Sequence, residues 1–179
     1  MVNALHADAT ATLEAWKPGD AAQESLRQGY LGFLAAREDA CSRSCVAGHL
    51  TASTVVLDAR GEHVLLTLHP RVGRWLQLGG HCEPEDTSLF AAALREATEE
   101  SGIDGLTLDP EPVHLDVHPV TCSLGVPTRH FDVRFVARAP EGAQPVVSAE
   151  SDDLRWWPVT ELPPETEDLT ELLARALDR

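Results

Sequence analysis

The chain has 179 residues, 43% of them hydrophobic, with a formal net charge of −15 and a pI near 4.8. That supplies enough apolar chain for one globular core and argues against disorder, while the acidity excludes nucleic-acid polymers and anionic membranes as partners, since both require basic surfaces. No run approaches the roughly 18 apolar residues of a membrane span, and four cysteines in this length do not make a disulfide scaffold.

The N-terminal stretch MVNALHADATATLEAW has no basic region followed by an apolar core, so no secretory signal is expected and the expected compartment is cytoplasmic. Residues 1–47 read as a helical extension that packs on a main domain at 48–179. Within it, Asp20 can cap a helix running towards Arg37, with Leu26, Tyr30, Phe33 and Leu34 at core-facing spacing. Cys41, Cys45 and His49 form C-x3-C-x3-H, which can be read as a metal site or as buried free thiols. Structural zinc usually takes tighter cysteine pairs and four ligands, and the fourth here would have to come from His81 or Cys82.

The period then changes to that of strands. Thr51–Asp58 and His63–His69 are rich in aliphatic and β-branched residues around a Gly61 turn, and Arg74–Leu78 is a short third strand leading into a Gly79-Gly80 loop. A helix follows, capped by Asp86, Thr87 or Ser88, ended by Gly102, and buried through Phe90, Ala93, Leu94 and Ala97. Val113–Val120 and Arg129–Arg138 read as a hairpin through Gly125 and Pro127, and Asp153–Val159 as the last strand. Beyond Pro163 and Pro164, a closing helix presents Leu169, Leu172, Leu173, Ala176 and Leu177 to the core.

The central helix carries Glu96, Glu99 and Glu100 directly after Arg95. Spacings of three and four residues put such side chains on one helical face, where like charges repel. They also lie towards the helix C-terminus, which disfavours anions. A bound divalent cation is the simplest reason for the arrangement, and an ordinary solvated acidic helix is the alternative.

The segment GGHCEPEDTSLFAAALREATEESGI (Gly79–Ile103) closely resembles the Nudix box, Gly–x5–Glu–x7–Arg–Glu–x–x–Glu–Glu–x–Gly followed by an aliphatic residue. Arg95, Glu96, Glu99, Glu100, Gly102 and Ile103 fall in register, and Gly80 and Glu83 suit the start of its loop. The stretch from loop to helix is one residue longer than the usual count, and the usual loop-ending glutamate is replaced by Asp86, or by Glu85 in a shifted register. The resemblance implies an α/β/α sandwich with a mixed, curved sheet. It implies a hydrolase that cleaves the diphosphate bond of a small, anionic, nucleotide-like molecule with Mg²⁺ or Mn²⁺ and an attacking water. Glu96, Glu99, Glu100 and the Gly80 carbonyl would hold metal, and Arg95 would pair with Glu83 or Asp86. Family members often dimerise. The same fold also supports non-catalytic binding modules and prenyl-diphosphate isomerases. The former usually lose box glutamates, and the latter need a catalytic cysteine, for which Cys82 is the candidate in the loop.

Families on this fold place the general base in the box or on a later loop, where Glu150 is the first candidate and Asp152 and Asp153 compete with it. Strand alternation puts His114, Asp116 and His118 on one face of their strand and His130, Asp132 and Arg134 on one face of the next. Pairing those strands would join the sets into one polar patch, either a substrate pocket or a plain water-facing surface. Arg71, Arg74 and His81 surround the run into the box and complete the candidate substrate contacts. The segment RWLQLGGH resembles a bacterial Nudix subgroup with a Trp-Leu-Gln-x-Gly-Gly-His lead-in.

Overall fold

Strand β1 (His49–Leu57) is buried along its whole length because it is paired on both edges. The computed structural model describes residues 4–121, 125–148 and 151–179. On one edge β1 runs antiparallel to β2 (His63–Leu68), with Val56 opposite Leu65, and to β4 (Leu78–His81), with Thr51 opposite His81. On the other it runs parallel to β7 (Pro127–Arg138), in register from His49↔His130 to Leu57↔Arg138. Strands β3 (Trp75–Leu76) and β8 (Asp153–Pro158) pair with β2, while β5 (Thr107–Leu108) and β6 (His114–Thr121) pair with β7, completing an eight-stranded mixed sheet.

Alternation sends the apolar residues of this sheet into two cores. Leu50, Ala52 and Val56 of β1, with Val133 and Phe135 of β7, join a cluster built by α1 (Ala4–Ala15), α2 (Ala21–Ala36) and α3 (Leu89–Ser101). Val55 and Leu57, with Val64, Leu66 and Val136, meet Leu169, Leu172, Leu173 and Ala176 of α4 (Glu167–Leu177). The result is the expected α/β/α layering, with the N-terminal helices on the α3 side. Ser88 caps α3 through its hydroxyl, which accepts from Ala91 N, and Gly102 ends the helix.

Three details depart from the sequence reading. The predicted helical stretch stops at Ala36, and residues 37–47 form short turns, including Ser42 N to Asp39 O and Cys45 N to Ser42 O. Asp39, Ser42 and Ser44 lie there, residue types whose side chains compete with helical backbone bonds. Second, Gly79 and Gly80 belong to strand β4, not to a loop. Third, Leu177 turns outward at 40% exposure while its neighbour Ala176 is fully buried.

The N-terminal helices are fixed to the sheet by polar contacts as well as by packing. The Asp20 carboxylate accepts from Ala22 N and Gln23 N and so sets the start of α2. The Gln23 amide then donates to Leu115 O (3.0 Å) and accepts from Leu115 N (2.7 Å), replacing a strand neighbour on the outer edge of β6. The buried Tyr30 hydroxyl shares its proton between the carbonyls of Asp116 (2.6 Å) and Asp132 (2.9 Å). Gln23→Ala removes both partners of a buried peptide group, each loss costing about 1–3 kcal/mol. Urea unfolding should show a midpoint lowered accordingly, with the m-value unchanged.

Candidate active site

The acidic cluster is organised by Arg95. Its guanidinium has five N–H donors, and all five are engaged. Nε and one Nη bond both oxygens of Asp86 (3.2 and 2.9 Å), the same Nη reaches His81 O (3.0 Å), and the other Nη bonds Glu96 and Glu99 (both 3.0 Å). Asp86 is therefore the loop acid that Arg95 grips. Glu83 instead donates its backbone N–H to Asp86 and faces Arg43 at 3.5 Å. Burial pushes the Asp86 carboxyl up, but the Arg95 bonds and charge, with the Glu83 N–H, hold it below the usual carboxylate range.

The repulsion expected among the helix glutamates is thus partly relieved within the chain. Arg95 neutralises Glu96 and Glu99, and Glu100 accepts from Gly79 N at 2.9 Å. Gly80 lies so close that a Cβ there would stand 2.8 Å from a Glu96 carboxylate oxygen. The Gly80 backbone meets the Glu96 carboxylate with no side chain between them, Glu100 lies at the neighbouring Gly79, and the donors on offer are oxygens, the ligand type that hard divalent cations prefer. The residues present fit such an ion.

The polar faces of β6 and β7 meet as the alternation predicts: His114 lies opposite Arg134, Asp116 opposite Asp132, and His118 opposite His130. β1 and β4 extend the face with Thr51, Ser53 and His81. Its centre is not open surface, however. Asp132 is buried and accepts from Thr51 (2.9 Å), Ser53 (2.7 Å) and Arg134 Nε (2.9 Å). Arg134, also buried, reaches Asp116 at 3.1 Å, and Asp116 pairs with His118 at 2.7 Å. Burial raises the Asp132 carboxyl, and the Arg134 charge and bond more than reverse that, so it stays ionised. Asp132 and Arg134 therefore form a floor whose bonding groups are largely committed to one another. His118 and Asp116, both half-buried, are the more accessible members of this face, and His130 is half-buried with its Nε2 enclosed. Sequence reading missed Thr51 and Ser53, although the alternation His49, Thr51, Ser53 along β1 marks them as sharing one side.

The remaining candidates are dispersed. His81 stands with His49 and His130 at ring-centroid separations of 5.0–5.1 Å. Burial, together with the charge of Arg43 and the two neighbouring imidazoles, lowers the His81 pKa to about 3, and burial lowers that of His130 to about 4. Arg71 is exposed in the turn after β2. Arg74 bonds Glu165 O and Asp168 at the start of α4, so the structure does not bring it to the acidic cluster. Glu150 lies outside the described residues. Of its competitors, Asp152 bonds Leu68 O through its backbone, and Asp153 is engaged by Arg155. Cys41, Cys45 and Cys82 are buried free thiols. Burial pushes the Cys41 thiol up to about 12 and also raises that of Cys82, both away from the reactive thiolate form.

The NUDIX domain family matches residues 48–176, so the chain belongs to the Nudix family. Among curated proteins, none matches the chain in sequence. Solved structures similar to it include a NUDIX-family hydrolase from Clostridium perfringens, at 25% identity over 73% of this chain and 96% of that one, with a TM-score of 0.57. The dihydroneopterin triphosphate pyrophosphohydrolase of E. coli shares the fold at 21% identity, 73% and 96% coverage and a TM-score of 0.57. So does the Ap4A hydrolase of C. elegans, at 20% identity, 72% and 94% coverage and a TM-score of 0.54.

Two outcomes follow from the ion pairs. Arg134→Met leaves Asp132 buried without its cation and should destabilise the protein by about 3–5 kcal/mol, with part of the loss recovered in the Asp132→Asn double variant. Equilibrium unfolding in urea reads both. Asp86, with its lowered pKa, contributes stability that is fully present above the ordinary aspartate value of ~3.9 and is lost as pH falls through its folded value. Asp86→Asn should therefore be less stable than wild type at neutral pH and converge with it in acid, as followed by thermal melts across pH.

Proposed function

We propose that the chain hydrolyses the diphosphate bond of a small nucleoside-diphosphate-type molecule, such as a nucleotide, nucleotide sugar or dinucleotide, with Mg²⁺ or Mn²⁺ and water as nucleophile. One observation carries this reading: Arg95 bonds Glu96 and Glu99, Glu96 stands against Gly80, and Glu100 accepts from Gly79 N, so all three carboxylates border the end of β4. The ligands named for two fold neighbours, Ap4A and dihydroneopterin triphosphate, are phosphoanhydrides of this general kind. Retention of all three glutamates favours turnover over a binding module.

Glu96, Glu99, Glu100 and the Gly80 carbonyl would hold the cations. When bound, such ions neutralise the diphosphate oxygens and the charge that builds on the leaving oxygen. An acidic protein could not otherwise accept a polyanion beside three carboxylates. Arg95 acts as a positioning residue: its grip on Asp86 and His81 O fixes the end of β4 against α3. Lysine could not reproduce that five-bond fork. Arg71, His81 and His130 are the proposed substrate contacts, with Asp132 and Arg134 supporting them from below. Glu150 is the proposed base. Glu150→Gln should lose rate at neutral pH and regain part of it as hydroxide rises, with metal binding retained.

Glu99→Gln and Glu100→Gln should each lower kcat by at least roughly 100-fold, ~2.7 kcal/mol of barrier. Gly80→Ala tests the geometry without removing a carboxylate, because its Cβ would displace Glu96. It should weaken Mg²⁺ activation and lower kcat. Phosphate release from a diphosphate panel, coupled to a phosphatase with and without EDTA, measures all three. Full activity after EDTA, or Gln variants that turn over like wild type, would overturn the assignment.

A further inference from the structure

The acidic cluster does not account for the histidines on the other side of β4. His49 on β1, His81 on β4 and His130 on β7 come from three neighbouring strands, and each offers a ring nitrogen within 4.8 Å of the other two. The register makes the meeting systematic. His49 is the direct partner of His130, and His81 is paired to Thr51, two residues along on the same face of β1.

Two of these nitrogens are otherwise unexplained. His49 Nε2 and His130 Nε2 are buried and have no hydrogen-bond partner in the structure. His49 places its other nitrogen, Nδ1, 3.4 Å from Cys45 O. Donation to that carbonyl fixes the tautomer and leaves the Nε2 lone pair directed into the cluster. Metal-ligating histidines use the same arrangement, with one ring nitrogen on a backbone carbonyl and the other on the ion. A tetrahedral ion with Zn–N bonds of about 2.0–2.1 Å needs ligand nitrogens about 3.3 Å apart, so each ring would move by less than about 1 Å.

We propose that His49, His81 and His130 form a second metal site, for a divalent ion of the zinc class, distinct from the carboxylate site. Imidazole donors suit Zn²⁺, Co²⁺ and Ni²⁺, whereas Mg²⁺ takes oxygen, so two sites one residue apart along β4 sort their ions by ligand type. Three protein ligands leave a fourth position for water or a substrate atom, as in zinc sites that support chemistry. The ring of His118 lies 5.4 Å from that of His130, next to the three ligands. Arg43 is the nearby opposing charge, and it faces the Glu83 carboxylate at 3.5 Å. The proposal does not rest on the hydrolase reading.

The test is binding of metal alone to the full chain after chelation and dialysis, with Co²⁺ as the visible probe. One equivalent of Co²⁺ should give the intense d–d absorption of a low-coordinate site, displaced by Zn²⁺ and insensitive to excess Mg²⁺. His81→Asn and His130→Asn should each weaken Co²⁺ binding at least roughly tenfold. Glu99→Gln should leave it unchanged. No Co²⁺ spectrum in wild type, or a spectrum lost in Glu99→Gln and kept in the histidine variants, overturns the site. If a histidine variant does not fold, wild-type crystals soaked in Zn²⁺ decide: anomalous density between the three rings supports the site, and its absence overturns it.

Discussion

Two residues without side chains let one short strand touch both the sheet and the helix, and the rest of the site depends on that contact. A Cβ on Gly79 would lie 2.4 Å from Ser53 Cα, and one on Gly80 would lie 2.8 Å from the Glu96 carboxylate. Only with both absent can β4 pair with β1 while resting on α3. The approach lets Gly79 N–H reach Glu100, brings His81 O to Arg95, and swings the His81 ring to the opposite face beside His49. A strand of four residues thus joins the acidic helix on one side to the polar sheet on the other.

Around it, electrostatics are settled by short internal pairings more than by solvent. The chain is strongly acidic, yet its arginines at the site are committed: Arg95 to Asp86, Glu96 and Glu99, and Arg134 to Asp132 and Asp116. The buried Arg134–Asp132 pair adds little net stability over an apolar alternative. What it supplies here is geometry, since Thr51, Ser53 and Arg134 leave the Asp132 carboxylate little freedom to turn.

Much of this was legible in the sequence because it follows from periodicity. The two-residue period predicted that His114, Asp116 and His118 would face the same way as His130, Asp132 and Arg134. The strand pairing joined them residue for residue. The Nudix resemblance located the helix, its caps and its acids. Depth was not legible. Alternation tells which side a residue takes, but not that Thr51 and Ser53 from a strand some eighty residues earlier would close over Asp132. Nor did it show that Arg95 itself offsets the crowding of glutamates, because that requires the reach of one side chain in three dimensions. The glycine pair read as a loop for a similar reason: low strand propensity is a local signal, and the close packing that overrides it is not.

The pairing of Gln23 with Leu115 also bears on how the molecule stays separate from its neighbours. Among the described residues β6 pairs only with β7, so its outer peptide groups form the kind of edge along which sheets of different molecules join. A single glutamine amide, held there by a helix cap at Asp20, occupies the donor and the acceptor that an incoming strand would use. A shortened chain starting at residue 48 would uncover this edge together with the apolar sheet face that α1 and α2 cover. Its foreseeable failing is intermolecular strand pairing and loss of solubility, ahead of any defect in the chemistry.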